Sequence, residues 1–398
     1  MSEMAPLWAL CSINDHVLSE STPPDYVFDY VDISSVSQGS ISEDLESYNF
    51  RDAPSRARRL ACAGDVLVST VRTYLRAIAQ VQGADVPRVY STGFAVLHPH
   101  AGQVDSRYLA YLFSTDVVVD EIVATSTGVS YPAIQGTLLH QIRVPYPPFG
   151  TQQAIADYLD HETGRIDTMI AKLDELAETL EDRRIQVVRG ETLLMPDGKS
   201  WPLAPIGYLF RSIGSGTTPR GEKHYTSAGK GVPWATTSEL RENTIFSTSK
   251  NVTKEAVSQV SGLTVHPTGS VLIAMYGATI GRLGILGVEA TTNQACCVFS
   301  GPEKVDSKFF YYTLLGQRDD IIQEGQGGGQ PNINQGLLRR WKIPLPPFEE
   351  QRRIADYLDE TTSQIDTMLA KVAELKDLLT ERRAALITAV VTGRKDVA

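Results

Sequence analysis

Several short motifs in this sequence resemble parts of catalytic or cofactor-binding sites, but each lacks a residue that the chemistry requires. Residues 146–149 (YPPF) and 345–348 (LPPF) nearly match the Asn/Asp-Pro-Pro-Tyr/Phe motif of amino-methyltransferases. Their first residues lack the amide or carboxylate that would hydrogen bond the exocyclic amine of a base, so we interpret both as helix-entry turns. Gly198-Lys199-Ser200 resembles the end of a P-loop, but Leu193 stands where its first glycine should be.

Metal-binding and redox patterns are also incomplete. His98 and His100 could ligate a metal, but nothing else in the sequence points to a site, so we interpret them as part of a surface loop. The four cysteines show no C-x-x-C spacing, and the adjacent Cys296 and Cys297 lie in an apolar run, which favours buried thiols. No Asp/Glu cluster has the spacing of a nuclease. We therefore predict a chain that has no active site and binds no cofactor or metal.

A long duplicated segment is the strongest feature of the sequence. Residues 144–188 and 343–387 are identical at 23 of 45 positions without a gap. Both copies begin with a proline-rich stretch, which favours extended backbone and blocks helix. Apolar residues then recur every seven positions, with a companion stripe at residues such as Ile155, Met169 and Leu176. This heptad pattern predicts a long coiled-coil helix in each copy, of about 35–40 residues and roughly 50–60 Å.

The stripes predict that the two helices pack against each other. Antiparallel pairing is favoured because a whole domain lies between them in the chain; the alternative is that each helix covers its own domain separately. The residues predicted to form the packing stripe are Ile155, Leu159, Ile166, Leu173, Leu180, Ile354, Leu358, Ile365, Val372, Leu379 and Leu386.

The regions before and between the helices repeat more weakly, as in GDVLVST (64–70) and GSVLIAM (269–275). Short β-branched runs at 66–71, 89–96, 271–275 and 295–299 are broken by Gly and Pro, which predicts strands. We expect an α+β protein with a pseudo-twofold internal repeat. Its predicted parts are a globular domain at 1–149, a long helix at 150–195, a second globular domain at 196–348 and a second long helix at 349–393.

The charge is unevenly distributed. The net charge is −10, yet residues 1–50 contain nine acidic residues and no Lys or Arg, whereas residues 191–348 contain 12 acidic and 15 basic residues. A nucleic-acid partner is therefore not excluded by the total charge. The sequence has no run of about 18 apolar residues and no charged-then-apolar leader. We expect a cytoplasmic protein without a membrane partner.

Taken together, several residue groups resemble the DNA-specificity subunit of type I restriction-modification systems. They are the duplicated PPF-x2-Q-x2-IADYLD-x6-ID helix, the stretches SGTTP (215–219) and VPWATTSEL (232–240), the run GSVLIAMYGATIGRLGIL (269–286) and GQGGGQPNIN (325–334). The first domain carries looser versions at 55–79 and 126–134. The resemblance covers essentially the whole chain.

The resemblance implies two globular target-recognition domains separated by two long antiparallel coiled-coil helices. Each domain would read one half-site of a bipartite double-stranded DNA sequence, and the helices would set the spacing and dock two adenine methyltransferase subunits. Two restriction/translocase subunits would complete a restriction complex. S-adenosylmethionine, ATP and Mg are implied for those partner subunits, and none of them for this chain.

The resemblance also implies DNA contacts, which require cations for phosphates and planar or hydroxyl groups for base edges. In the first domain the candidates are Arg56, Arg58, Arg59, Arg72, Tyr74, Arg76, Ser126, Thr127, Ser130 and Tyr131. In the second domain they are Thr217, Thr218, Arg220, Lys223, Thr236, Thr237, Tyr276, Thr279, Arg282, Gln326, Gln330 and Asn332. Motifs such as YGATIGR and GQPNIN are shared between subunits of different specificity, so an alternative is that they shape the fold or contact phosphates.

Two other interpretations stay open at this point. The acidic N-terminal 50 residues would suit a DNA mimic, an antirestriction protein or a scaffold that binds the methyltransferase without reading DNA. A specificity subunit could also serve modification alone, without a nuclease partner. The target sequence itself is not readable from residue types.

Overall fold

The computed structural model describes residues 3–37, 39–128, 132–195, 197–227, 229–325 and 332–397. It divides into two compact units. The first unit comprises Met1–Asp174 and Ala373–Ala398, and the second comprises Glu175–Val372. Each unit therefore contains one globular domain and parts of two long helices.

The globular domain of the first unit combines two four-stranded sheets with three short helices. Its strands are β1 (Met4–Pro6), β2 (Cys11–Ile13), β3 (Val27–Val31), β4 (Val36–Ser37), β5 (Ser40–Ile41), β6 (Glu46–Asn49), β7 (Ala57–Arg59), β8 (Val66–Ser69), β9 (Ile78–Gln80), β10 (Arg88–Ser91), β11 (Phe94–Pro99) and β12 (Arg143–Pro145). Its helices are α1 (Ser106–Ser114), α2 (Asp116–Thr125) and α3 (Gly136–Leu139). The strand orders are β6-β3-β10-β7 and β2-β11-β8-β9, with β1 paired to β12 and β4 to β5.

Strand β8 is buried on both faces, which accounts for the successive apolar residues Val66, Leu67 and Val68 in its sequence. Val66 and Val68 pack into the core that includes α1, whereas Leu67 packs into a second core on the other face of the sheet. A strand that is covered on both faces has no solvent-exposed face, so its sequence does not alternate between apolar and polar residues. The sheet is therefore the central layer of this domain.

The interpretation of His98 as part of a surface loop is wrong. His98 lies in β11, and its Nδ1 is 2.8 Å from Oδ2 of the buried Asp65. The two residues are 33 positions apart and meet because β8 and β11 are paired neighbours. His98 is therefore a sheet residue held by a carboxylate.

The second unit contains a five-stranded and a four-stranded sheet. Its strands are β13 (Leu203–Pro205), β14 (Phe210–Ser215), β15 (Tyr225–Thr226), β16 (Val232–Ala235), β17 (Asn243–Ile245), β18 (Asn251–Val252), β19 (Val271–Ala274), β20 (Leu283–Leu286), β21 (Thr291–Thr292), β22 (Cys296–Pro302) and β23 (Lys342–Pro344). The orders are β14-β22-β19-β20-β17 and β15-β18-β16-β21, with β13 paired to β23. Its short helices are α5 (Lys254–Gln259), α6 (Ser307–Gly316), α7 (Arg318–Glu324) and α8 (Gln335–Arg340).

An aromatic cluster forms the centre of the second unit. Phe210, Phe299 and Phe310 are buried with ring centroids 4.6–5.5 Å apart, a range in which aromatic pairs attract beyond their buried area. Cys296 and Cys297 are also buried, on β22, as the apolar run predicts, and burial raises the pKa of the Cys297 thiol to about 12.

We expect His266 to make the stability of the second unit dependent on pH. It is buried, its Nδ1 lies 3.1 Å from Oγ of Ser300, and burial lowers its pKa. Since the unfolded chain then binds a proton more readily than the folded one, stability is fully present above the ordinary histidine pKa of ~6.5. It should fall as the pH drops below that value, by at most about 1.4 kcal/mol per pH unit.

Urea unfolding at pH 8 and pH 5.5, with His266→Gln beside the unsubstituted chain, measures this effect. The unsubstituted chain should lose more stability than the variant. His161→Gln is the matched control, because the His161 side chain is 71% exposed. An equal loss in all three proteins would contradict the prediction.

The two long helices are α4 (Phe149–Leu193) and α9 (Phe348–Val391), 45 and 44 residues long. They exceed the predicted 35–40 residues because their ends are buried in the globular cores. Val188, near the end of α4, packs into the core of the second unit, and Val390 and Val391, at the end of α9, pack into the core of the first. Tertiary burial thus extends the helices past the heptad pattern. Among the described residues, no helix is long and apolar enough to cross a membrane.

The helices pair antiparallel in each unit. In the first unit, Nε of Arg383 lies 2.8 Å from Oδ1 of Asp167, and Lys376 pairs with Asp174. In the second unit, Arg184 pairs with Asp366 at 3.6 Å. The numbers of the partners rise on one helix as they fall on the other, so the predicted antiparallel arrangement is confirmed.

The predicted packing stripe is buried unevenly. Ile155, Leu159 and Ile166 on α4 are buried, as are Ile354, Leu358, Ile365 and Val372 on α9. Leu173, Leu180, Leu379 and Leu386 are half-buried. Most of the companion stripe is only about half covered, since Met169, Leu176, Met368 and Leu375 are 44–50% exposed. The expectation of two buried stripes is wrong over the middle of both helices, where one stripe meets the other helix and the second faces outward.

The beginning of each long helix is tied to its globular domain by a buried glutamine. The side-chain Oε1 of Gln152 accepts from the N–H of Asp105 at 3.0 Å, and its Nε2 donates to the carbonyl oxygens of Gln103 and Pro147. Gln351 makes the same three bonds in the second unit, with Asp306, Lys304 and Pro346. The repeat in sequence is thus a repeat of side-chain contacts.

Candidate nucleic-acid interface

A strained turn after β8 presents the first group of candidate DNA contacts. Residues Thr73–Leu75 form a short 3-10 turn between Arg72 and Arg76, which have left-handed backbone with φ of 52° and 53°. This conformation costs an L-residue other than glycine roughly 1–2 kcal/mol. Tyr74 and Leu75 at the tip are 53% and 50% exposed.

This turn is held against the loop that precedes α3. The N–H of Arg72 donates to the carbonyl of Pro132 at 2.8 Å, and the hydroxyls of Thr73 and Ser126 lie 3.1 Å apart. Thr127 pairs through its backbone with Ala133. The fold therefore brings Arg72, Tyr74, Ser126 and Thr127 to one surface although about 50 residues separate them. The candidates Ser130 and Tyr131 lie outside the described residues.

Three of the five arginine candidates of the first unit, Arg58, Arg59 and Arg76, are partly buried or paired within the domain. Arg76 pairs with Asp116 and Asp120 of α2, Arg58 lies over the ring of Phe50, and burial lowers the pKa of Arg59. The Nε of Arg59 is buried and has no hydrogen-bond partner among the described residues. The basic run 55–59 therefore does not form one basic patch, because alternate residues of β7 point to opposite faces.

Arg56 and Arg72 meet at a cavity of about 590 Å³. The lining residues are Tyr30, Asp32, Ile33, Ser34, Arg56, Val71, Arg72, Leu75 and Ser91. Burial opposes ionisation of Asp32, but hydrogen bonds from Ser34 and Ser35 together lower its pKa below the ordinary value. The cavity thus combines two cations, a carboxylate and an aromatic ring.

Sequence reasoning missed four polar residues of this cavity: Tyr30, Asp32, Ser34 and Ser91. They come from β3, β10 and the turn after β3, and the parallel pairing of β3 with β10 brings them together. The Asp-x-Ser-Ser sequence at 32–35 is the signal that could have indicated a side-chain-capped turn there.

The second unit has a corresponding turn after β19, at residues 276–282. Here the left-handed positions are Gly277 and Gly281, with φ of 82° and 77°. Tyr276 and Arg282 are exposed, and Thr279 is half-buried. Asn332 is exposed, and the N–H of its neighbour Ile333 donates to the carbonyl of Met275. The candidates Gln326 and Gln330 lie outside the described residues.

Threonines of two other segments reach the same end of this sheet. The N–H of Thr217 donates to the carbonyl of Thr292, and the hydroxyl of Thr218 donates to Oε1 of Gln294 at 2.6 Å. This approach requires Gly216, since a Cβ there would lie 1.8 Å from the carbonyl oxygen of Thr292. Arg220 and Lys223 follow as exposed cations.

Thr236 and Thr237 follow β16, and Thr236 is largely occupied within the domain. Its N–H and hydroxyl both donate to Oε2 of Glu239. Burial opposes ionisation of Glu239, but hydrogen bonds from Thr236 and Ser249 lower its pKa. Thr236 therefore shapes the turn, while Thr237 is half-buried.

Strand registers show that the two candidate surfaces occupy equivalent positions. Leu97 pairs with Val66 in the first unit as Phe299 pairs with Val271 in the second. The parallel pairs β3/β10 and β16/β21 correspond in the same way. When these registers are extended along the chain, Arg72 of the first unit is equivalent to Gly277 of the second. In the same way, Val71 is equivalent to Tyr276 and Asp32 to Thr236. Each unit thus gathers its candidates at the same strand ends.

Within the described residues, no group of three or more His, Cys, Asp or Glu side chains is arranged to hold a metal ion.

Comparisons with known proteins identify relatives for this arrangement. The sequence family described as "Type I restriction modification DNA specificity domain" matches residues 33–178 and 199–377. The chain is 25% identical over 244 residues to the type I restriction enzyme EcoR124I/EcoR124II specificity subunit of Escherichia coli, covering 59% of this chain and 58% of that subunit. It is 21% identical over 335 residues to the type I restriction enzyme MjaIX specificity subunit of Methanocaldococcus jannaschii, covering 79% and 75%.

A solved chain from work on complex assembly and conformational transition of the type I R-M system has the same fold. Its TM-score is 0.79 at 22% identity, and the match covers 98% of this chain and 97% of that chain. The order of globular domain, long helix, globular domain and long helix is therefore an arrangement already seen in a solved structure.

Proposed function

Because this chain belongs to the family of type I restriction modification DNA specificity proteins, we propose that each of its units reads one half-site of a bipartite DNA target. Specificity subunits are the non-catalytic DNA-recognition subunits of these systems. The observation that carries the proposal is the repetition of one candidate surface, at equivalent strand ends, in both units. The two surfaces occupy equivalent positions but carry different side chains, which suits the recognition of two half-sites of different sequence.

The side chains at these surfaces suit DNA. Arg56 and Arg72 can neutralise phosphates or contact guanine, and hydroxyls such as those of Thr218 and Ser126 can contact phosphates or base edges. Exposed Tyr74 and Tyr276 offer rings beside the cations. The glycines of the second turn let backbone approach the duplex closely.

We further propose that α4 and α9 recruit two adenine methyltransferase subunits. Each unit exposes an equivalent methionine–leucine pair on the long helices: Met169 and Leu375 in the first unit, Met368 and Leu176 in the second. Apolar side chains repeated at heptad positions and left exposed suit a further helix from another protein. Because the pairs are equivalent, the same partner would bind twice.

The partners would supply the chemistry that this chain lacks. S-adenosylmethionine would bind the methyltransferase subunits, and ATP and Mg would bind two restriction/translocase subunits if the complex also cleaves DNA. With a DNA target and such partners, the protein would act in the cytoplasm. The continuous helices α4 and α9 would set the number of unspecified base pairs between the half-sites.

Mapping of methylated adenine across a genome tests this function directly. Cells would express the methyltransferase with this chain or without it. We expect a split motif with a fixed unspecified gap, present only when the chain is expressed. Methylation that is unchanged, or a continuous motif independent of the chain, would contradict the proposal and favour the acidic DNA mimic or scaffold.

A further inference from the structure

The two equivalent turns differ at the positions that are hardest for a side chain to occupy. In the second unit both left-handed positions are glycines, Gly277 and Gly281, and such residues adopt positive φ without strain. In the first unit both are arginines, Arg72 and Arg76, in the same backbone conformation. The same fold is therefore built with or without this strain. Strain that a glycine would relieve is typically retained where the side chain itself is needed.

The two arginines have different surroundings. Arg76 pairs with Asp116 and Asp120, so its side chain is directed to α2 of its own domain. Arg72 lines the 590 Å³ cavity together with Arg56 and Asp32. The strained arginine at position 72 therefore brings a cation to this cavity.

The polar groups of this cavity match a G·C pair. Arginine donates to O6 and N7 of guanine, the commonest specific contact in the major groove, and a carboxylate accepts from the N4 amine of cytosine. Ser34 and Ser35 hydrogen bond to Oδ1 of Asp32 and fix the orientation of the carboxylate. At the equivalent positions the second unit has Gly277 and Thr236, which offer neither contact.

We propose that Arg72 is a specificity-determining residue that selects guanine in the half-site bound by the first unit. Arg56 assists it, and Asp32 accepts from the paired cytosine. The second unit makes no such selection at its equivalent position. This inference rests on the proposed function and assigns a base to one of its two surfaces.

The test uses the complex of this chain with its methyltransferase, after the methylation motif is known. Benzoylphenylalanine at the exposed position of Tyr74, cross-linked to DNA, identifies the half-site that the first unit binds. Each guanine of that half-site is then replaced with 7-deazaguanine, which lacks the N7 acceptor but pairs normally. At one of these guanines we expect binding to weaken about 10-fold or more.

Two substitutions separate the side chain from the backbone strain. Arg72→Gly should weaken binding to the guanine-containing site about 10- to 100-fold and remove the sensitivity to 7-deazaguanine. It should also raise the melting temperature of the free chain by about 2–4 °C, since a strained position becomes a glycine. Arg76→Gly relieves the same kind of strain and should keep the sensitivity to 7-deazaguanine, whatever its overall affinity.

The outcomes distinguish the inference from the function beneath it. If the unsubstituted complex shows no bipartite motif, the proposed function is wrong and the inference falls with it. If a bipartite motif is present but Arg72→Gly retains full discrimination, or the cross-linked half-site contains no sensitive guanine, only the assignment of Arg72 is overturned.

Discussion

Met169→Asp combined with Leu375→Asp should remove one of two methyltransferase subunits from the complex. Both side chains belong to the first unit and are 44% and 50% exposed. If a partner helix covers the exposed half of each side chain, each replacement loses apolar burial of about 0.7–1.5 kcal/mol and adds the desolvation of a charge. Affinity for that subunit should fall by at least about 100-fold, since 1.4 kcal/mol corresponds to a factor of ten. Native mass spectrometry of the purified complex counts the subunits directly.

The second unit offers a mirror experiment. Met368→Asp with Leu176→Asp should remove the other subunit, and all four changes together should leave the chain without methyltransferase subunits. Leu378→Asp is the matched control: Leu378 is 53% exposed on α9, but the equivalent residue on α4 is Thr179, already polar. If the same partner binds both helices through equivalent positions, its binding does not depend on an apolar residue at a position where one of the helices has threonine. A complex that keeps two subunits after all four changes would show that the partners bind elsewhere.

This experiment also bears on why the sequence predicted a stripe that the structure leaves exposed. A heptad pattern records that apolar residues share one face of a helix, and it does not identify the molecule that covers that face. Leu159 and Ile166 are covered within the chain, whereas Met169 and Leu176 are not. Both sets look alike in sequence, so a partner from the same chain cannot be distinguished there from a partner in another protein.

The family, the α+β class and the paired antiparallel helices were all predictable from sequence, and they are confirmed. They rest on local patterns: the duplicated motif, its seven-residue period and the prolines before each helix. Strand boundaries were predicted less well. The run at 89–96, expected to be one strand, is divided between β10 and β11, since Thr92 and Gly93 form a turn. The polar Ser-Thr-Gly sequence at 91–93 was a signal for that turn.

The candidate interface was predicted only in outline. Residue type identified Arg72 and Tyr74, but it could not tell Arg56, which lines the cavity, from Arg58 and Arg59, which are held within the domain. Arg56 precedes β7 whereas Arg58 and Arg59 lie in it, so the distinction depends on where the strand begins and on what packs against each of its faces. Asp32 was missed because its position beside Arg72 follows from pairing between strands far apart in sequence. Whether these residues contact DNA stays a prediction.

Gln152→Leu should destabilise the first unit by about 2–4 kcal/mol, because it leaves one backbone N–H and two carbonyl oxygens at the helix entry without their partner. Gln152 is fully buried, so water does not replace the lost bonds. Leucine has nearly the same volume, which keeps the effect of packing small. Gln153→Leu is the matched control, since Gln153 is the next residue and is exposed; it should change stability by less than about 0.5 kcal/mol.

The duplicated glutamine makes the prediction specific to one unit. Gln351 makes the equivalent bonds in the second unit, so Gln351→Leu should destabilise that unit by a similar amount and leave the first unchanged. Hydrogen exchange followed by mass spectrometry assigns the loss of protection to peptides of one globular domain or the other. Protection lost in both domains after either single change would show that the two units unfold together. Equal stability of Gln152→Leu and Gln153→Leu would show that the buried bonds do not hold the helix to its domain. If the prediction holds, this glutamine, which both copies of the repeat retain, helps to fix each long helix to its own globular domain.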